Sequence, residues 1–110
     1  MTLPATLGKA VGHLPETPLP WEFGNSAVAG HRDSFFRPLK DVRVNDRVRV
    51  LTPHGNFQYS VSRITIVEPN DVSVLAATDH SLLTLVTCYP FYYVGQAPKR
   101  FIVQAGHVPG

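Results

Sequence analysis

The sequence predicts an all-β domain, and three observations carry that prediction. Five segments, residues 26–29, 42–50, 57–66, 82–88 and 101–103, are rich in β-branched and aliphatic side chains and have strand-like lengths or alternate apolar with polar. All ten prolines fall outside those segments, where they punctuate turns. Almost nothing in the chain has the 3.6-residue apolar period of a helix. The pattern leaves open whether the strands form a barrel or a sandwich.

Taken in order, residues 1–22 read as an arm. Pro4, Pro15, Pro18 and Pro20 leave only residues 5–10 room for a short helical turn, and the rest is expected to be extended. Trp21 and Phe23 are expected to pin this arm to the body, because large aromatics bury the most apolar area. Gly24-Asn25 turns the chain into the first core strand. Residues 34–39 are too short for a stable helix and read as a turn anchored by Phe35 and Phe36. From Val42 the pattern alternates, with Val42, Val44, Val48 and Val50 on one face and Arg43, Arg47 and Arg49 on the other. Pro53-His54-Gly55-Asn56 then makes a turn, and Phe57, Tyr59 and Val61 alternate on the return, giving a β-hairpin. The apolar phase shifts to Ile64 and Ile66, which predicts a bulge near Ser62-Arg63 or burial of both faces.

Residues 68–81 are polar and turn-prone, with room for one turn of helix beside Val72, Val74 and Leu75. Residues 82–88 form a near-continuous apolar run, the sign of a buried strand, and it ends on Cys88 before Tyr89-Pro90. In residues 89–99 the aromatics Tyr89, Phe91, Tyr92 and Tyr93 either pack on the mouth of the fold or line a groove beside Cys88. Phe101-Ile102-Val103 closes the sheet, and residues 106–110 read as a frayed tail. The organisation is thus one domain over residues 1–110: an arm at 1–22, a core at 23–105 and a tail at 106–110.

Composition narrows the function. A 110-residue chain with 44% hydrophobic residues holds one core. A net charge of +2 without any Lys/Arg block gives little support to nucleic-acid binding. A single cysteine excludes an internal disulfide, and His13, His54, His80 and His107 lack zinc-ligand spacing, so neither a metal nor another cofactor is expected. No apolar run approaches a membrane span, and no signal peptide is visible.

Three strand ends carry chemistry: His31 after residues 26–29, Cys88 at the end of 82–88, and Arg100 at the start of 101–103. A lone cysteine is ordinarily a small buried hydrophobe. With a histidine to exchange its proton and an arginine to hold an oxyanion, it becomes a nucleophile for acyl transfer.

On Ala29-Gly30-His31-Arg32-Asp33, Thr84-Leu85-Val86-Thr87-Cys88 and Arg100, the chain resembles the sortases, a family of cysteine transpeptidases. Gly12-His13-Leu14-Pro15, Gly24-Asn25 and Tyr89-Pro90-Phe91 are similar to its class D and E branch. The resemblance implies a sortase-type β-barrel and cleavage of a Leu-Pro-x-Thr-Gly-like sorting motif through a thioester on Cys88. His31 would protonate the leaving amine, Arg100 would hold the oxyanion, and an amine would take the acyl group. It further implies substrate contacts from Val74, Leu75 and Ala76 in the 68–81 loop, with Thr87, Tyr89 and Tyr92 beside the nucleophile. Asp33 would orient His31 or cap a turn. The implied partners are a sorting-signal peptide and an amine, and the implied setting is extracytoplasmic and membrane-associated. The rival readings are a cysteine hydrolase using the same Cys88 and His31, and an inactive peptide-binding domain. Relatives carry a membrane anchor and two strands ahead of Gly12, whereas residues 1–10 show no alternating run. The barrel is therefore expected to be open along that side, with an edge able to pair with a second chain.

Overall fold

The computed structural model describes residues 2–4, 11–14, 16–20, 22–30, 37–90 and 96–109. The expectations for residues 5–10, Trp21, His31, Asp33, Phe35, Phe36, Phe91, Tyr92 and Tyr93 lie outside them. Among the described residues there are seven strands, β1 (Thr2–Pro4), β2 (Val11–His13), β3 (Asn25–Gly30), β4 (Arg47–Thr52), β5 (Gly55–Val67), β6 (Leu82–Tyr89) and β7 (Lys99–Val108). They form one sheet in the order β1-β4-β5-β7-β6-β3-β2, curled into a half-barrel.

The curl follows from the sequence. β4 and β5 form the expected hairpin, turning at Pro53-His54 with Gly55 at φ 123°, a conformation open to glycine and strained for other residues. β5 then pairs antiparallel with β7, and the register shifts between Val61 and Arg63. Ser62 is the extra residue, and its hydroxyl donates to the Gln104 carbonyl at 3.2 Å. A bulge bends a strand and raises its twist, so a 13-residue β5 can serve both walls of the half-barrel. Inside the curve lie Val48, Val50, Tyr59, Val61, Leu83, Leu85, Val103 and Ala105, all fully or almost fully buried. Leu39 plugs the cluster from a 3₁₀ turn, Arg37–Asp41.

That 3₁₀ turn is one correction, since the segment was expected to be a plain turn. A second concerns the alternation from Val42, which becomes a strand only at Arg47. Asn45 has φ 78°, the Asp46 carboxylate accepts from the Arg43 N–H at 2.9 Å, and the Asp46 N–H donates to the Arg43 carbonyl at 3.0 Å. This local turn outcompetes the strand, and Val44 is left 52% exposed.

The arm departs furthest from expectation. β1 pairs in parallel with β4, and β2 pairs antiparallel with β3, so both flanks of the five-stranded core receive an additional strand. Three-residue edge strands draw on backbone groups that every residue carries, and so need no side-chain alternation. Phe23 does not pin the arm, being 67% exposed. Polar contacts do so instead: the Leu14 N–H donates to the Ala27 carbonyl at 2.9 Å, the Ala27 N–H to the Thr17 hydroxyl at 3.0 Å, and the Tyr59 hydroxyl to the Pro20 carbonyl at 3.1 Å. Burial pushes the Tyr59 phenol up to about 12. At the other end β7 continues through Gly106 to Val108, because Gly106 pairs with both β5 and β6 and His107 and Val108 pair with β5, so no tail frays at Gly106.

Candidate active site

β6 and β7 are antiparallel, and their register sets Cys88 directly opposite Arg100. Side chains directly opposed across such a pair have Cβ atoms about 4.5–5.5 Å apart, within reach of a guanidinium. Strand alternation sends Leu83, Leu85 and Tyr89 toward the core cluster and Thr84, Val86 and Cys88 to the other face. On β7, Arg100, Ile102 and Gln104 share that second face, while Phe101, Val103 and Ala105 face the core.

A cavity of about 110 Å³ lies on the second face, lined by Val67, Val74, Leu75, Val86, Ile102 and Arg100 among others. Most of its lining is apolar, with the Asp71 carboxylate on the loop side and the Arg100 guanidinium, a permanent cation, at the Cys88 end. Cys88 is half-buried, a free thiol. Arg100 is half-buried, and its Nη1 donates to the Lys99 carbonyl at 2.9 Å and the Ala97 carbonyl at 3.2 Å. Those bonds hold the guanidinium at the strand entrance. Beside it, Lys99 forms an ion pair with Glu68, tying β7 to the start of the 68–81 loop.

Val74 and Leu75 wall the cavity from a 3₁₀ turn, Ser73–Leu75. Ala76 is exposed, and it meets the fold through its carbonyl. Thr87 and Tyr89 lie on the face of β6 that carries Leu83 and Leu85. Thr87 is 2% exposed and alternates to the face opposite Cys88, so its hydroxyl does not open on the groove. Tyr89 stacks on Phe101 with ring centroids 5.9 Å apart and packs against the core cluster. Tyr92 and His31 lie outside the described residues. β3 runs parallel to β6 with Ala29 opposite Val86, two positions before His31 and Cys88 in the sequence.

One group was missed. Asn25 is 2% exposed, and its Nδ2 donates to the carbonyls of Val74 at 2.9 Å and Ala76 at 3.0 Å. Its Oδ1 accepts from the Thr84 hydroxyl at 2.6 Å, which in turn accepts from Gln104 Nε2 at 3.2 Å. Gly24-Asn25 was read as a turn and as part of the family resemblance, with no role for the Asn25 side chain. The available signal was an amide, poorly suited to strands, at the head of an apolar strand. At the other end of the loop the Asp71 carboxylate accepts from the Ser73 hydroxyl at 2.6 Å and its N–H at 2.9 Å. These two bonds, the hydroxyl's first, hold Asp71 below the usual carboxylate range.

The comparisons agree with this arrangement. The sortase domain family matches residues 2–108. Sortase D of Bacillus subtilis (strain 168) is 39% identical over 103 residues, covering 93% of this chain and 52% of the relative. The chain therefore spans about half the length of that protein. Among solved structures, the Clostridium perfringens sortase D5 transpeptidase superposes with a TM-score of 0.78 at 30% identity, covering 98% of this chain and 70% of that one. The catalytic domain of B. anthracis SrtD does so with a TM-score of 0.74 at 33% identity, covering 94% and 72%. The family match over residues 2–108 and the 39% identity to a sortase D show that this chain belongs to the sortases, on the class D-like side.

Proposed function

We propose that the chain carries the catalytic centre of a transpeptidase that cleaves a Leu-Pro-x-Thr-Gly-like sorting motif and passes the acyl group to an amine. The observation that supports this reading most is the placement of Cys88 against Arg100 at the end of an apolar groove. A groove lined by Val67, Val74, Leu75, Val86 and Ile102 suits the aliphatic and proline side chains of such a motif.

In the acylation step the Cys88 thiolate attacks the threonine carbonyl carbon, forming a C–S bond. The C–N bond then breaks, and His31, as imidazolium, gives its proton to the leaving amine. In the second step the incoming amine attacks the thioester, its proton passes to His31, and the C–S bond breaks to restore the thiolate. Both steps place negative charge on the same oxygen. Arg100 spends donors on Ala97 and Lys99 and has others in its five-donor fork for that oxygen or for the peptide backbone. Support for His31 in this role is the parallel β3–β6 register, which stands at Ala29 and Val86 just before the two residues. The setting that goes with this chemistry is the cell surface, with a secreted protein's sorting signal as substrate.

Chromatography of a sorting-motif peptide incubated with the protein tests the reading. With a glycine-like amine present, a ligated product is expected; Cys88→Ala and His31→Ala should each abolish it. Cleavage that yields only free acid at every amine concentration would make the protein a hydrolase. No cleavage with intact folding would contradict the reading.

A further inference from the structure

We propose that Asn25 is the positioning residue for the wall of the substrate groove, acting with Thr84 and Gln104 to set how tightly the groove grips an apolar side chain at its far end. The inference rests on the peptide-groove reading above and deepens it.

Residues 68–81 leave β5 and return to β6 with a single 3₁₀ turn, so the loop has little regular structure to fix its place. Its groove-facing part is nevertheless held at two points. Asn25 uses both Nδ2 hydrogens on the Val74 and Ala76 carbonyls, which bracket Leu75. Gln104 Nε2 adds a longer contact to the Val74 carbonyl at 3.4 Å. Asn25 cannot turn away, because its Oδ1 accepts from Thr84, and Asn25 and Thr84 are both buried. Asn25 and Leu82 are register partners at the mouth of the parallel β3–β6 pair, so the amide is fixed to the same strand that ends on Cys88.

The placement matters for substrate length. Thr84 lies four residues before Cys88 on β6, and at a rise of about 3.3 Å per residue the two are about 13 Å apart. That is the span of four extended peptide residues. A peptide whose attacked threonine carbonyl sits at Cys88 therefore carries its leucine, three positions upstream and about 10 Å away, to within one residue step of the Asn25–Thr84–Gln104 layer, under Val74 and Leu75. If the amide is removed, the wall loosens while Cys88 and Arg100, on β6 and β7, keep their register. The effect should fall on peptide binding and side-chain preference, with turnover of bound peptide spared.

The test compares the full chain with Asn25→Ala, Thr84→Val and Thr84→Ser. Three quantities are read: kcat and KM on a Leu-Pro-x-Thr-Gly peptide and its Ala-Pro-x-Thr-Gly counterpart, Kd of the first peptide in a Cys88→Ala background, and amide exchange of residues 72–77. For Asn25→Ala, KM and Kd should rise about tenfold, as the loss of two ordinary hydrogen bonds would give, with kcat within about twofold. Preference for Leu over Ala should shrink, and exchange of residues 72–77 should quicken. Thr84→Val should show the same changes more weakly, and Thr84→Ser should restore wild-type values. If Asn25→Ala does not fold, Thr84→Val decides. Unchanged Kd and Leu preference alongside faster exchange, or exchange that does not change at all, would overturn the proposal. A protein that binds the peptide in this Asn25-dependent way but never turns it over would sink the transpeptidase reading and leave the positioning role standing.

Discussion

Arg100 is the residue whose chemistry can be separated most cleanly from its packing. Its fork is held by the Lys99 and Ala97 carbonyls and opens beside Cys88. A point ammonium cannot offer parallel donors, so Arg100→Lys should lose nearly as much activity as Arg100→Ala. Lysine kinetics matching wild type would reduce Arg100 to an ordinary surface charge. Tyr59 shows the reverse case, in which packing dominates. Tyr59→Phe keeps the ring edge against His107 and loses the bond to Pro20, which should cost about 0.5–1.5 kcal/mol in denaturant unfolding. The folded phenol titrates at about 12, above its ordinary 10.0, so its contribution is complete below about pH 10 and is lost as pH rises through about 12. Melts of Tyr59→Phe should lack that alkaline decline. At this scale the strand-end positions of Cys88 and Arg100 were legible, because the apolar runs that flank them mark where each strand lies. Asn25 was not, because a buried amide bonded to a loop 49 residues away leaves no local pattern.

Among the elements, the β4–β5 hairpin could be read directly, and the slip in alternation near Ser62 left a bulge or burial of both faces open, of which the register shows the bulge. The turn at Arg43–Asp46 could not, because Val42 and Val44 continue the alternation while Asp46 caps backbone groups locally. The 68–81 loop is stabilised at its entrance by Asp71 in the same manner. Its folded pKa lies below the unfolded one, so the Ser73 bonds contribute above about pH 4 and are lost as pH falls through the folded value. Asp71→Ala should therefore exchange its residue 72–77 amides faster than wild type at neutral pH, and the difference should shrink as pH falls below the usual carboxylate range. A difference that persists at acid pH would mean that the loop does not depend on the ionised carboxylate.

At the scale of the molecule, the all-β class followed from strand-length apolar runs and ten prolines, and it needed no long-range information. The arm was misread because β1 and β2 join the sheet by backbone pairing, which needs no side-chain alternation. Their presence changes the stability argument. Removing residues 1–13 should uncover the β3 and β4 edges and lower stability by about 2–6 kcal/mol, if each short strand supplies two net hydrogen bonds. It should also cause concentration-dependent association, since unpaired strand edges recruit partners. Thermal melts and sedimentation of both lengths check this; an equally stable, monomeric shortened form would show that the five central strands suffice.

The central claim is that Cys88 carries the acyl group between peptide and amine. Mass spectrometry of the intact protein mixed with a sorting-motif peptide tests it most directly. The account predicts an adduct on Cys88 equal to the acyl fragment, which disappears when an amine is added as the ligated peptide forms. An unmodified Cys88 while the peptide is being processed, or an adduct that no amine removes, would contradict it.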